Sequence, residues 1–253
     1  MKKGFFVLGL LIVNVIFSEF VFAATESYND AFSQAAGYYA QQDYEAAIQQ
    51  YNRILKDGWE SGNLYYNLGN CYFKQGKLGW AIFYYEKARQ LIPRDRDLES
   101  NYEYALSLIE APFYISKSGI AERLFSAIFS NFTIDGLTVL LVICYIMILV
   151  GFLVAVFLKN QRRSFVILLV ILCLIFLGGF WGLYKKISLL GHQAVVVEKQ
   201  ADVKFEPLEK ATDYFTLYEG MKVRIIALQD NWYKIRRQDG KCGWVRKDSL
   251  AVF

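Results

Sequence analysis

Residues 136–184 read GLTVLLVICYIMILVGFLVAVFL, then KNQRR, then SFVILLVILCLIFLGGFWGLY, and this stretch decides the architecture. Neither apolar run carries a charge. At 1.5 Å per residue, a helix from Gly136 to Leu158 extends about 34 Å, against a hydrocarbon core of about 30 Å. The second run, Ser164 to Tyr184, is just long enough. Both lack the polar face that a helix of a soluble domain turns to water. Only residues 159–163 separate them, so two spans joined this tightly form an antiparallel hairpin. Lys159, Arg162 and Arg163 make that turn basic, and the positive-inside rule puts it in the cytoplasm. Lys185 and Lys186, after the second span, weigh mildly the other way.

Outward from the hairpin, the N-terminus settles the side. Lys2 and Lys3 precede an apolar core from Gly4 to Phe17, and Val21-Phe22-Ala23 offers small residues to a signal peptidase. Residues 1–23 read as a signal peptide cleaved after Ala23. A retained signal anchor is the alternative and gives the same sidedness. Residues 24–110 and 193–253 then both lie outside the cytoplasm, on one side of a cell membrane. Of the 253 residues, 55% are hydrophobic, 28 basic and 24 acidic, a balance too even for a nucleic-acid binder. Cys71, Cys144, Cys173 and Cys242 are too scattered for a zinc site or a disulfide framework. Cys144 and Cys173 read as apolar side chains within the spans, and Cys71 and Cys242 as free thiols.

Residues 24–110 contain an internal repeat. A shift of 34 aligns Tyr38 with Tyr72, Gln41 with Gln75, Ala47 with Ala81, Ile48 with Ile82 and Tyr51 with Tyr85. A period of this length signals a helix–turn–helix unit. Repeats are expected over 28–61 and 62–95, with a capping helix over 96–110 marked by Leu98, Tyr102, Ala105, Leu106 and Ile109. The better copy reads Tyr65-x-x-Leu68-Gly69-x-x-Tyr72, then Ala81-x-x-x-Tyr85, Ala88 and Pro93. Gly69 and Ala81 are small where the helices cross, Gln75-Gly76-Lys77 is the turn, and Pro93 ends the unit. This copy resembles the tetratricopeptide repeat at every signature position. The first copy keeps Tyr38, Ala47 and Tyr51 but has Gln34-Ala35 for Leu-Gly and Trp59 for Pro.

The resemblance implies a concave peptide-binding face lined by each first helix. Its positions here are Asn29, Phe32, Tyr39, Asn63, Tyr66, Asn70 and Phe73, with Tyr104 on the cap; packing within the stack is the competing role for half of the aromatics. Asparagine amides grip peptide backbone, and aromatics supply contact area. Phe32 and Tyr66 stand where carboxylate-clamping relatives carry lysines, so an apolar or aromatic ligand segment is implied. Residues 111–135 link this domain to the membrane. There Ile120, Leu124, Phe125, Ile128, Phe129 and Phe132 recur at helical spacing, as in an interfacial helix or one packed under the repeats.

After the hairpin the pattern changes to short strands: 194–197, 222–228, 232–236, 243–245 and 250–253. Asp230-Asn231 and Asp239-Gly240 are turns. A small all-β barrel follows over 193–253. Leu217-x-Glu219-Gly220-x-x-Val223, Trp232-Tyr233-Lys234-Ile235 and Asp239-Gly240-Lys241-x-Gly243-Trp244-Val245 resemble the bacterial SH3-like domain. Trp232, Tyr233 and Trp244 are its candidate ligand contacts, with core packing the expectation for Trp244 and in part for Trp232. Lys234, Arg236 and Arg237 form a basic patch.

No catalytic or metal-binding constellation appears. His192 is the lone histidine and reads as a linker residue. Glu45 and Glu86 read as solvated charges on repeat faces. The fold class is therefore a multidomain membrane protein: an all-α tetratricopeptide solenoid, a two-helix hairpin and an all-β SH3-like barrel. The expected role is a non-enzymatic scaffold without cofactors, with a wall-peptide receptor or an accessory subunit of a cell-wall enzyme as alternatives. The order of parts resembles the BatE-like family of the Bacteroides aerotolerance group. That resemblance implies protein partners of the von Willebrand A-domain type in the same membrane, a MoxR-type ATPase nearby, and a part in envelope or oxidative stress.

Overall fold

A computed structural model describes residues 27–110, 125, 127–157 and 162–253. The signal segment 1–23, linker residues 111–124 and turn residues 159–161 lie outside the described residues. The N-terminal domain is helical: α1 (27–40), α2 (Tyr44–Lys56), α3 (Gly62–Lys74), α4 (Leu78–Leu91) and α5 (Arg96–Ser107). Asp43, Ser61 and Asp95 start α2, α3 and α5 by accepting from the backbone N–H of Ala46, Leu64 and Leu98 at 3.0, 3.1 and 2.8 Å. Such caps contribute about 1 kcal/mol each. The 34-residue shift is visible in the backbone itself. Gln42 and Gly76, one period apart, take the left-handed conformation at φ 64° and 74° in the turns after α1 and α3.

The core of this domain is aromatic, with Tyr51, Tyr65 and Tyr85 each no more than 1% exposed. Gly69 is small of necessity, because a Cβ there would lie 2.5 Å from the Tyr85 ring. Helix α4 stops at Leu91, two residues before Pro93.

Helices α6 (Ile134–Phe157) and α7 (Arg162–Leu189) pack side by side, and both are long and apolar enough to cross a membrane. Leu137, Leu141, Cys144 and Ala155 fill the contact, and Gly151 and Gly179 let Leu169 and Leu141 approach. Cys144 thus packs between the helices, while Cys173 is exposed on the outer surface of the pair. The segment before α6 serves both neighbours. The Phe129 ring lies against Gly182 of α7, Phe125 meets Trp181 at 5.6 Å, and Arg94 of the repeat domain donates to the Asn131 carbonyl at 3.1 Å.

The C-terminal domain is one antiparallel sheet of seven strands, in the order β3-β2-β6-β5-β4-β1-β7. They are β1 (Gln193–Val196), β2 (Gln200–Lys204), β3 (Asp213–Tyr218), β4 (Lys222–Gln229), β5 (Trp232–Arg236), β6 (Cys242–Arg246) and β7 (Leu250–Val252). Strands β2 and β3 are additions to the sequence-derived set. Asp230 at φ 48° and Gly240 at φ 90° turn the two hairpins. His192 joins α7 to β1, its carbonyl accepting from Ile225 N–H at 2.8 Å.

Candidate functional site

The groove candidates divide into two groups. Phe32 and Tyr39 are half-buried in the first helix pair, with Phe32 edge-on to Tyr51 at 5.5 Å and Tyr39 edge-on to Tyr44 at 5.4 Å. Tyr66, Asn70 and Phe73 lie along α3 and meet α5. Asn101 Nδ2 donates to the Tyr66 hydroxyl at 2.8 Å and to Asn70 Oδ1 at 3.0 Å. The Tyr85 hydroxyl also donates to Asn70 Oδ1, at 2.7 Å. Both lone pairs of that oxygen are thereby engaged. Phe73 packs on Tyr104, which is 59% exposed, and Asn29 and Asn63 are exposed at the rim. Asn101, absent from the sequence-derived set, is the residue that joins the groove to its cap.

On the barrel Trp232 is buried, as expected of it in part, while Trp244 is not the core residue expected. Trp232 is buried at 7% exposure, whereas Trp244 is half-exposed and faces outward. The reason is strand parity. Gly243 and Val245 are the inward residues of β6, and a Cβ on Gly243 would lie 2.5 Å from Val203. Only glycine fits between those strands, so its neighbour Trp244 turns out. Trp244 lies across from Lys234 on β5 and Lys204 on β2, with the Lys234 ammonium 5.7 Å from its ring centre. Tyr233 leans on the barrel core. Two exposed aromatics extend the surface: Phe205 and Tyr214 stack at 4.3 Å, with Lys241 5.9 Å from the Tyr214 ring. Within the basic patch, Arg237 is tied to Asp239 at 2.5 Å. The result is a mixed aromatic and cationic face.

The two domains touch, and the contact is built from both sequences. Val195 and Ala251 belong to the core of the repeat domain, while Ala194, Val196 and Leu250 belong to the core of the barrel. Strands β1 and β7 thus present alternate residues to two different cores. Helix α4 lacks a side-chain cap of its own, and Glu219 of the barrel supplies one, its Oε1 accepting from Gly79 N–H at 2.8 Å. Gly79 is the point of closest approach: a Cβ there would collide with the Val196 carbonyl and lie 2.8 Å from Val197 Cα. Gly220 faces the other way, where a Cβ would meet Ile82 at 2.7 Å.

At the centre of this contact stands Glu86, which the structure removes from the solvated face expected of it. The residue is 7% exposed. Lys222 of β4 donates to its Oε1 at 2.6 Å, the Tyr102 hydroxyl donates to the same oxygen, and Arg89 stands 3.8 Å from Oε2. Burial alone raises the Glu86 carboxyl, but the charges of Lys222 and Arg89 outweigh it and hold the group below the usual carboxylate range. Burial likewise opposes the Lys222 charge, and Glu86 overcomes it and raises the ammonium above the ordinary lysine range. The other acid, Glu45, is bonded to Gln75 at 2.9 Å.

Beside the contact, a cleft of about 660 Å³ opens between Phe73, Leu78 and Leu108 on one side and Lys199, Tyr218 and Glu219 on the other. Of the groove candidates, Phe73 lines this cleft. No sequence pattern indicated it, because its walls come from segments on either side of the two apolar helices.

Comparison with known families gives two matches. Residues 199–251 match the bacterial SH3 domain, which leaves β1 outside the matched segment. Residues 62–95 match the tetratricopeptide repeat. Both are typically non-catalytic interaction modules. Comparison with curated proteins gives no match. The chain is therefore similar to two interaction modules, carried on either side of a pair of long apolar helices.

Proposed function

We propose that this chain is a membrane-anchored, non-enzymatic scaffold that holds partner proteins outside the cytoplasm. The observation that carries the reading is the contact between its two interaction modules. A groove and an aromatic–cationic face are fixed relative to one another by a shared strand layer, a cap donated across the contact and a buried ion pair. Helices α6 and α7 cross the membrane, and the basic turn between them is cytoplasmic. Phe32, Tyr39, Asn63, Tyr66, Asn70 and Phe73 form the groove that takes a partner segment. Trp232, Tyr233 and Trp244 are the candidate contacts of the second site, with Trp244 the one turned outward. The order of parts supports a BatE-like role in an envelope-stress complex with von Willebrand A-domain partners. Cross-linking in intact membranes followed by identification of the captured proteins tests this. Recovery of such partners supports the reading, and their absence across repeated captures rejects it.

The outward turn of Trp244 favours one second reading, a receptor for cell-wall peptide. Titration of the full chain in micelles with muropeptides, followed by tryptophan fluorescence, separates the two. Saturable quenching that Trp244→Ala abolishes supports the receptor, and no response at millimolar concentration excludes it.

A further inference from the structure

Three cations gather where the apolar helices meet the repeat domain. Lys186 Nζ donates to the Phe132 carbonyl. Arg94 lies with its guanidinium 5.7 Å from the ring centre of the same phenylalanine, and its Nε is bonded to Asn131. Lys185 stands 4.2 Å from the Phe125 ring centre and 5.4 Å from that of Trp181. None of the three is paired with a carboxylate among the described residues. Asp95 is occupied in capping α5, and Asp135, in the first turn of α6, joins no ion pair among the described residues. Next to Arg94 a cleft of about 540 Å³ opens, lined also by Asp95, Asn131, Phe132, Thr133 and Gly136.

Two physical arguments make this arrangement costly as it stands. Lysines at the outer end of a span run against the positive-inside preference. The partly buried Lys185 and Lys186 also lose hydration among rings and carbonyls, and ring contacts return only about 0.5–2 kcal/mol. An anion at the depth of the headgroups removes both costs. The surface below the cations is apolar and open, with Trp181 55% and Tyr184 65% exposed.

We propose that Arg94, Lys185 and Lys186 form a binding site for the headgroup phosphate of an anionic phospholipid, whose acyl chains lie along α6 and α7. The proposal rests on the membrane reading above. Charge complementarity and continuity with the apolar helices select a lipid over a soluble anion. Trp181, beside Lys185, is a local reporter.

The test uses the full chain reconstituted in mixed bilayers of phosphatidylglycerol and phosphatidylcholine, with one or the other lipid brominated. Brominated phosphatidylglycerol is expected to quench Trp181 as though enriched about fivefold over its mole fraction, the weight of about one basic residue at an anionic surface. Arg94→Gln, Lys185→Gln and Lys186→Gln together should return quenching to the mole-fraction value. The charge-preserving set Arg94→Lys, Lys185→Arg and Lys186→Arg should keep the excess, as should neutralisation of Lys159, Arg162 and Arg163 at the opposite end. Quenching at the mole-fraction value in the unsubstituted protein overturns the proposal, as does an excess that survives the triple glutamine variant. Loss of the excess in millimolar inorganic phosphate would assign the site to a small anion and also overturn it. Quenching by neither lipid would instead sink the membrane reading itself.

Discussion

Glu86 and Lys222 are 136 residues apart in the chain and 2.6 Å apart in space. Breaking such a pair leaves a buried charge without its partner, which is the expensive event. Lys222→Met is expected to destabilise the protein by about 3 kcal/mol, the low end for buried pairs, because the Lys222 side chain keeps 31% exposure. Adding Glu86→Leu should recover part of that loss, and a double-mutant cycle by chemical denaturation measures the coupling. The pH dependence follows from the two directions. A depressed carboxyl contributes stability that is present above its unfolded pKa of about 4.3 and lost as pH falls through the folded value. A raised ammonium contributes stability that is fully present below about 10.4 and lost only as pH rises through its folded value. The contact between domains should therefore stay closed across neutral pH and open in strong acid, as read by fluorescence transfer between the domains. Thiols give a second test at this scale. Burial pushes the Cys71 thiol up to about 12, whereas Cys242 is partly exposed. A maleimide should label Cys242 in the folded protein and reach Cys71 only after unfolding. Legibility in the sequence failed at this scale where local pattern misleads. Glu86 sits among polar helix residues with nothing nearby to announce Lys222, and Trp244 looks like a core residue until Gly243 is seen to occupy the inward place.

At the scale of elements, the repeat was plain because its signal is periodic. The tyrosines, the small crossing residues and Pro93 all recur or fall at fixed offsets, and the backbone repeats with them at Gln42 and Gly76. Gln42 holds a left-handed conformation that costs a residue with a Cβ about 1 kcal/mol or more. Gln42→Gly should accordingly raise stability by up to about 1 kcal/mol, detected as a later midpoint in urea. The domain contact was less legible, yet its signal was present. Ala194-Val195-Val196-Val197 and Leu250-Ala251-Val252-Phe253 are apolar at every position, the pattern of strands buried on both faces, and the second face belongs to α4. Strands β2 and β3 escaped notice because Ala201 is the small inward residue of one and much of the other is open to solvent. Gly79 gives this scale its sharpest prediction. Gly79→Ala suits helix propensity but collides with the backbone of β1, so it should cost about 1–3 kcal/mol instead of stabilising α4. Glu219→Ala, which removes only the cap, should cost about 1 kcal/mol. Thermal unfolding of both variants ranks the two effects.

For the whole molecule, the fold class followed from pattern along the chain: two uncharged runs, a period of 34 and a change to short strands. What no single segment announces is how these parts close on one another. The repeat domain meets the segment before α6 through Arg94 and Asn131, α6 lies against α7, α7 leads through His192 into β1, and β1 returns to α4. Among the described residues these contacts close a mechanical circuit. A load on the repeat helices is passed on both through β1 and through the Arg94–Asn131 contact. It arrives at α6 and α7 together, and is expected to tilt the helix pair as a unit instead of changing the angle between its two members.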